Sequence, residues 1–290
     1  MPHPVIENKT PFEAELLFAA DEEGRPLVAS LIKATFSIAA DGQISLASEQ
    51  RPVNYAGSWW GGAGESSYQF EPEVAFSKPA TDVILHGVAR PHLRGQTEID
   101  VNFRVGPVRQ RALVLGPRVW NSGLLGMKIS APAPLEEVPL LYENAFGGWD
   151  RTPSDEAHHR AWEANSVGRG FYTSRGKPSE GDPLPSIECH RNGLRKVGGK
   201  ARTVGFGFTQ PHWQPRARFA GTFDEDWDQT RRPLLPLDFD RRHWNAAAPE
   251  LIADGFLRGD ELVLVEGTVP QGRLHFELVL YYSCTDPTCT

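Results

Sequence analysis

Glu188-Cys189-His190 sets a carboxylate, a thiol and an imidazole side by side. On a strand, alternate side chains share a face, so Glu188 and His190 would point the same way and could act as general base or metal ligands. No third ligand at a suitable spacing accompanies them, and a structural hydrogen bond is the expected role. His158-His159 are adjacent. Neighbours on a helix diverge by about 100° and do not easily share one metal. His86, in Ile84-Leu85-His86-Gly87, reads as a core histidine. Cys284 and Cys289 could close a small ring or supply half of a metal site, but no second pair completes it, and a terminal tail is the simpler reading.

Asp224-Glu225-Asp226 with Asp228 could bind Ca²⁺ or supply the carboxylate pair of a glycosidase. The Gly and Asp/Asn spacing of a calcium loop is missing, so solvated surface is expected. Gly61-Gly62-Ala63-Gly64 and Gly168-Arg169-Gly170 lack the strand–turn–helix setting of a nucleotide loop. No Gly-x-Ser-x-Gly occurs. The basic stretch over residues 191–202 has no aromatic ladder for nucleic acid and reads as a loop. The residues thus predict no catalytic constellation, no metal and no cofactor.

The elements that must position these groups are mainly strands. Residues 27–40 are apolar and β-branched, and Asp41-Gly42 offers a tight turn into Gln43-Ile44-Ser45-Leu46. Residues 97–105 alternate, with Ile99, Val101, Phe103 and Val105 opposed to Glu98, Asp100, Asn102 and Arg104. Gly106-Pro107 turns this strand towards a second over 111–115, and 83–88 reads as a buried strand. Strand pattern returns at 261–265 and 273–282. Short helices are predicted after Thr152 or Ser154 and over 249–253. The expectation is a mainly β fold of antiparallel sheets, sandwich- or barrel-like, with a few short helices and long ordered loops. A first module spans 1–135, and a Trp/Gly/Pro-rich second half, 136–290, returns strands to it.

Length and composition narrow the function. A chain of 290 residues buries a large core without disulfides. Its net charge of −7 disfavours nucleic acid and anionic membranes. No basic n-region precedes an apolar stretch at the N-terminus, no segment has the ~20 apolar residues of a membrane span, and three cysteines are no scaffold, so a cytoplasmic setting is expected. Eight Trp cluster with Arg and Gly: Trp59-Trp60, Arg118-Val119-Trp120, Phe146-Gly147-Gly148-Trp149, 213–218 and 227–232. Such residues build cores, and they also dominate protein–protein hot spots.

Several segments together resemble a known family, the domain of unknown function encoded beside the spike proteins of bacterial type VI secretion. They are Leu31-Ile32-Lys33-Ala34-Thr35-Phe36 with Asp41-Gly42 and Gln50; Lys78-Pro79-Ala80-Thr81-Asp82-Val83 with Gly87; Leu115-Gly116-Pro117-Arg118-Val119-Trp120; Val138-Pro139-Leu140-Leu141-Tyr142-Glu143-Asn144-Ala145-Phe146-Gly147-Gly148; Asn165-Ser166-Val167-Gly168-Arg169-Gly170-Phe171; Leu184-Pro185-Ser186-Ile187-Glu188; and Gly221-Thr222-Phe223 through Trp227 to Pro236-Leu237-Asp238-Phe239-Asp240, then Arg258-Gly259-Asp260-Glu261. Asn144 and Ser166 stand where the pattern has Arg and Pro.

The resemblance implies a non-enzymatic, cytoplasmic adaptor or chaperone. Its partners would be an effector, bearing a PAAR-like tip or an N-terminal docking segment, and the trimeric spike protein VgrG. Lys33, Asp82, Arg118, Trp120, Glu143, Gly147, Gly148, Glu188, Trp227 and Asp238 form its candidate structural or partner-binding centre. The charged members sit among apolar, Gly or Pro neighbours and need partners if buried. Arg118 is expected to pair with Glu143 or Glu188 beside Trp120. Specificity is expected on the loops carrying Trp59, Trp60, Arg191, Arg195 and Lys196. Two other readings compete. One is a carbohydrate-binding or glycoside-active β protein using Trp platforms and the Asp224–Asp228 carboxylates. The other is a secreted hydrolase working through Glu188 and His190.

Overall fold

The structure, a computed structural model, describes residues 5–21, 23–39 and 41–255, and the backbone of 263–266 and 278–281. Two hairpins come first. Strands β1 (Glu13–Ala20) and β2 (Pro26–Lys33) pair antiparallel from Glu13↔Lys33 to Ala20↔Pro26. Asp21 ties their turn, its Oδ1 accepting from the Glu23 and Arg25 amides. Strands β3 (Phe36–Ile38) and β4 (Ile44–Leu46) follow. The turn read at Asp41-Gly42 lies between them, with Gly42 at φ +86°.

The centre of the fold is two larger sheets. Strand β5 (Ala80–Leu85) is buried at every position, as its apolar half Val83-Ile84-Leu85 demands of a strand covered on both faces. Strands β6 (Glu98–Val105) and β7 (Val108–Leu115) form a hairpin around Gly106. The β6 alternation appears as read: Ile99, Val101, Phe103 and Val105 are buried, and Glu98, Asp100 and Arg104 face out. Asn102 departs from the pattern. It is buried, and its Oδ1 accepts from Arg109 Nε at 2.7 Å. Later segments complete both sheets: β8 (Ile187–Glu188), β9 (Ile252–Asp254), β10 (Val263–Glu266) and β11 (Leu278–Tyr281). The sheet orders are β8-β7-β6-β10 and β9-β5-β11, all antiparallel.

The main core packs β5, β6 and β7 against Phe206, Phe208, Ala246–Ala248 and Leu251. A second cluster joins Trp120, Phe146, Leu184, Leu194 and Ala201, with Trp162 and Phe171 against it. Burying each large side chain contributes roughly 1.5–3 kcal/mol.

The described part of the chain is mainly β, its strands divided among many small sheets, seven of them two-stranded. Three local expectations are corrected. The helix after Ser154 is one 3₁₀ turn, Glu156–His158, capped by Asp155. The helix over 249–253 is a 3₁₀ turn, Pro249–Leu251, and Ile252-Ala253 enter β9 instead, because pairing with β5 satisfies their backbone and buries Ala253. A helix was not expected at the acidic run, yet α1 (Glu225–Thr230) forms there, with Asp224 accepting from the Trp227 amide. Cys284 and Cys289 lie outside the described residues. Among the described residues no helix is long and apolar enough to cross a membrane.

Candidate functional site

Most of the charged residues picked out by the sequence are internal braces; Asp238 braces an exposed turn. Asp82, on β5, has no exposed surface. Its carboxylate accepts from Lys78 Nζ at 2.7 Å, Asn245 Nδ2 at 3.1 Å, and the Ala246 and Ala247 amides at 2.9 and 3.2 Å. One buried charge thereby stitches the 245–247 segment to the central strand. Of the two partners open to Arg118, the structure pairs it with Glu188. Nη2 lies 2.7 Å from Oε1 and also donates to the Pro185 carbonyl. Trp120 is fully buried in the second core, two residues from Arg118.

Glu143 is committed elsewhere, accepting from the Ser67 amide at 2.7 Å and from its hydroxyl. Gly147 and Gly148 follow on the same segment because nothing larger fits. A Cβ at Gly147 would lie 2.2 Å from the Asn165 carbonyl, and one at Gly148, where φ is +98°, 2.5 Å from the Gly168 carbonyl. Lys33 donates to both Glu73 oxygens at 2.8 Å and ties the first hairpin to the body. Asp238 accepts from the Thr222 amide and hydroxyl, bonds that hold its carboxyl below the ordinary range. Trp227 donates its indole N–H to the Leu234 carbonyl. These groups close on separate partners and do not converge on one centre.

The chemical groups are occupied in the same way. Glu188 faces Arg118, whereas His190 Nε2 lies 2.9 Å from Asp100 Oδ1, so the two do not form a dyad. Asp224 caps α1 and Asp228 pairs with Arg232, so these carboxylates do not converge beside exposed Trp. Trp120 and Trp213 are fully buried. Trp59 stacks on Tyr68 with centroids 4.2 Å apart, and Trp60 meets His86 edge-on. Arg191, Arg195 and Lys196 are exposed around a buried Gly193-Leu194. Among the described residues no group of three or more His, Cys, Asp or Glu is placed to hold a metal ion.

The sequence reading missed a third buried pair, Arg216 with Glu71. Arg216 also donates to the Thr209 and His243 carbonyls. Burial pushes the Glu71 carboxyl above its ordinary range against the pull of Arg216 and Lys78. The pair floors a groove of about 240 Å³ walled by Tyr68, Pro72, Val74, Pro211 and Trp244.

A larger feature was also missed. The β1–β2 ribbon has one side on which Ala14, Leu16, Phe18 and Ala20 pair with Ile32, Ser30, Val28 and Pro26, so seven of eight residues are apolar. Most of that side faces solvent; Ile32 is 71% exposed. The outward parity continues through Ala34 to Phe36 and Ile38, which pair with Leu46 and Ile44. Ile44 is 61% and Phe36 53% exposed. Among the described residues, β1 and β2 pair only with each other. Open ribbon edges beside a contiguous apolar face are the mark of an interaction surface.

Residues 23–278 match the family described as an uncharacterized protein conserved in bacteria, DUF2169. The chain belongs to the DUF2169 family. No curated protein and no solved structure matches it. In this DUF2169 chain the two departures from the expected motifs are both put to use. Asn144 accepts from Arg169 and donates to the Pro139 carbonyl, and Ser166 accepts the indole N–H of Trp213.

Proposed function

We propose that this DUF2169 chain is a non-enzymatic adaptor or chaperone. It binds a type VI secretion effector, through a PAAR-like tip or an N-terminal docking segment, and helps load it onto the VgrG spike. The reading comes from the seven collinear motifs. It is supported above all by one observation, the exposed apolar face of the first two hairpins. A protein that grips another needs a stiff scaffold and an uncovered apolar surface. The buried pairs Arg118–Glu188, Lys78–Asp82 and Arg216–Glu71 supply the stiffness. The net negative charge suits a protein partner better than nucleic acid, and a cytoplasmic setting fits loading before secretion.

The test is co-expression with effectors carrying a PAAR-like tip and encoded beside a spike gene. The expected result is one stable complex and loss of soluble effector when the adaptor is omitted. Effectors that stay soluble and unbound would end this reading.

A further inference from the structure

The apolar face has an electrostatic rim. Residues 13–51 hold seven carboxylates (Glu13, Glu15, Asp21, Glu22, Glu23, Asp41, Glu49) and three cations (Arg25, Lys33, Arg51). That net of −4 is more than half of the whole chain's −7, in a short stretch of it. Arg25 pairs with Asp21 and Glu23, and Lys33 with Glu73. Asp41 and Glu49 are exposed beside the apolar face. The face is also long. Val28, Ile32, Ala34, Phe36 and Ile38 share one parity along a nearly continuous extended run, and residues 26–38 span roughly 40 Å at strand rise.

We propose that this face binds an extended, amphipathic and basic segment of a partner protein. Its apolar side chains lie on Val28, Ile32, Phe36 and Ile44, and its Lys or Arg residues meet Asp41 and Glu49. Charge selects this occupant. A second copy of the chain would bring the same net −4 against this rim, and an anionic membrane would be repelled by it. A basic strand gains attraction and buries the apolar row together. The inference rests on the adaptor reading for the identity of the partner, not for the chemistry of the surface.

The probe is a capped peptide of about twelve residues alternating Lys with Val or Ile, long enough to cover the run. A counterpart carries Glu in place of Lys. Titration of the full chain by fluorescence anisotropy should show the Lys peptide binding at least about tenfold tighter than the Glu peptide. The preference should shrink in 1 M salt, where the screening length falls to ~3 Å. Ile32→Lys and Ile44→Lys, both at exposed positions, should weaken binding by about tenfold without moving the melting curve. Asp41→Lys with Glu49→Lys should weaken the Lys peptide alone. Amide exchange over 26–38 should slow further when peptide is bound.

Equal binding of the two peptides, or unchanged binding by these variants, overturns the proposal. So does a dimer in sedimentation that Ile32→Lys dissociates, since a second copy then occupies the face. Co-sedimentation with anionic vesicles means a lipid occupant and likewise ends the idea. The two readings fail separately. Peptide binding without any effector complex removes the adaptor function and keeps the surface, whereas an effector complex that survives Ile32→Lys and Ile44→Lys does the reverse.

Discussion

The guanidinium of Arg118 meets the carboxylate of Glu188 at 2.7 Å, with 8% of each side chain exposed, where β8 joins the edge of β7. Removing one partner strands the other charge in a poorly solvated site. Arg118→Met should lower stability by about 3–5 kcal/mol, and Glu188→Leu by a similar amount. The double variant should lose much less than the sum. Urea unfolding of all four proteins completes the cycle, and additive losses would mean that the two groups do not depend on each other.

Asp82 organises more backbone than any other charge singled out in the sequence. Asp82→Asn keeps the size but removes the charge that faces Lys78. It should destabilise the protein by about 3 kcal/mol or more. Amide exchange should accelerate first at Ala246 and Ala247, whose N–H groups lose their acceptor.

His86 supplies a pH dependence. Burial, helped by the positive charge of Arg51, lowers its pKa from 6.5 to about 4. The folded protein therefore holds the neutral ring, while the unfolded chain takes up a proton near pH 6.5. The stabilisation is complete above about pH 6.5 and is lost as the pH falls towards 4, by up to about 3 kcal/mol. His86→Leu should flatten that limb in urea titrations run across this range. A slope equal to that of the parent would assign the effect to another group.

Gly205 lies against the ring of Tyr142. A Cβ there would sit 2.1 Å from Cζ and 2.2 Å from the hydroxyl oxygen. Tyr142 is buried and is crossed edge-on by Trp213, so it has no room to retreat. Gly205→Ala should cost about 2–4 kcal/mol, with a melting midpoint lower by roughly 5–10 °C. Pairing it with Tyr142→Leu should recover part of that loss. A melting curve like the parent's would show that the ring can move.

What the sequence disclosed follows from how local each signal is. The alternation of Ile99, Val101, Phe103 and Val105 and the Asp41-Gly42 turn are encoded within a few residues, and both appear in place. Arg118 was narrowed to two acids because a charge among Gly, Pro and Trp needs a counterpart, but local spacing does not say which. The Arg216–Glu71 pair joins residues 145 positions apart, and neither neighbourhood points to the other. Pro249-Glu250-Leu251 carries real helix signals, yet sheet pairing outweighed them after one turn. The Asp224 cap is readable, since Asp followed by acids suits a helix start, but the same acids also suit Ca²⁺, a carboxylate pair or, as preferred, solvated surface. The open face escaped notice because Leu16-Leu17-Phe18 and Leu31-Ile32 are apolar on both parities, which hides which side is meant to be covered.

The strand order also sets a timetable for synthesis. β5 is flanked by strands that begin at Ile252 and Leu278, and β6 by one that begins at Val263. At ~5–20 residues per second, the ribosome needs roughly 10–30 s after making β5 before it delivers β9. Throughout that interval Val83, Ile84 and Leu85 have neither of their neighbouring strands, so the nascent polypeptide spends its most aggregation-prone period before its last quarter has been translated.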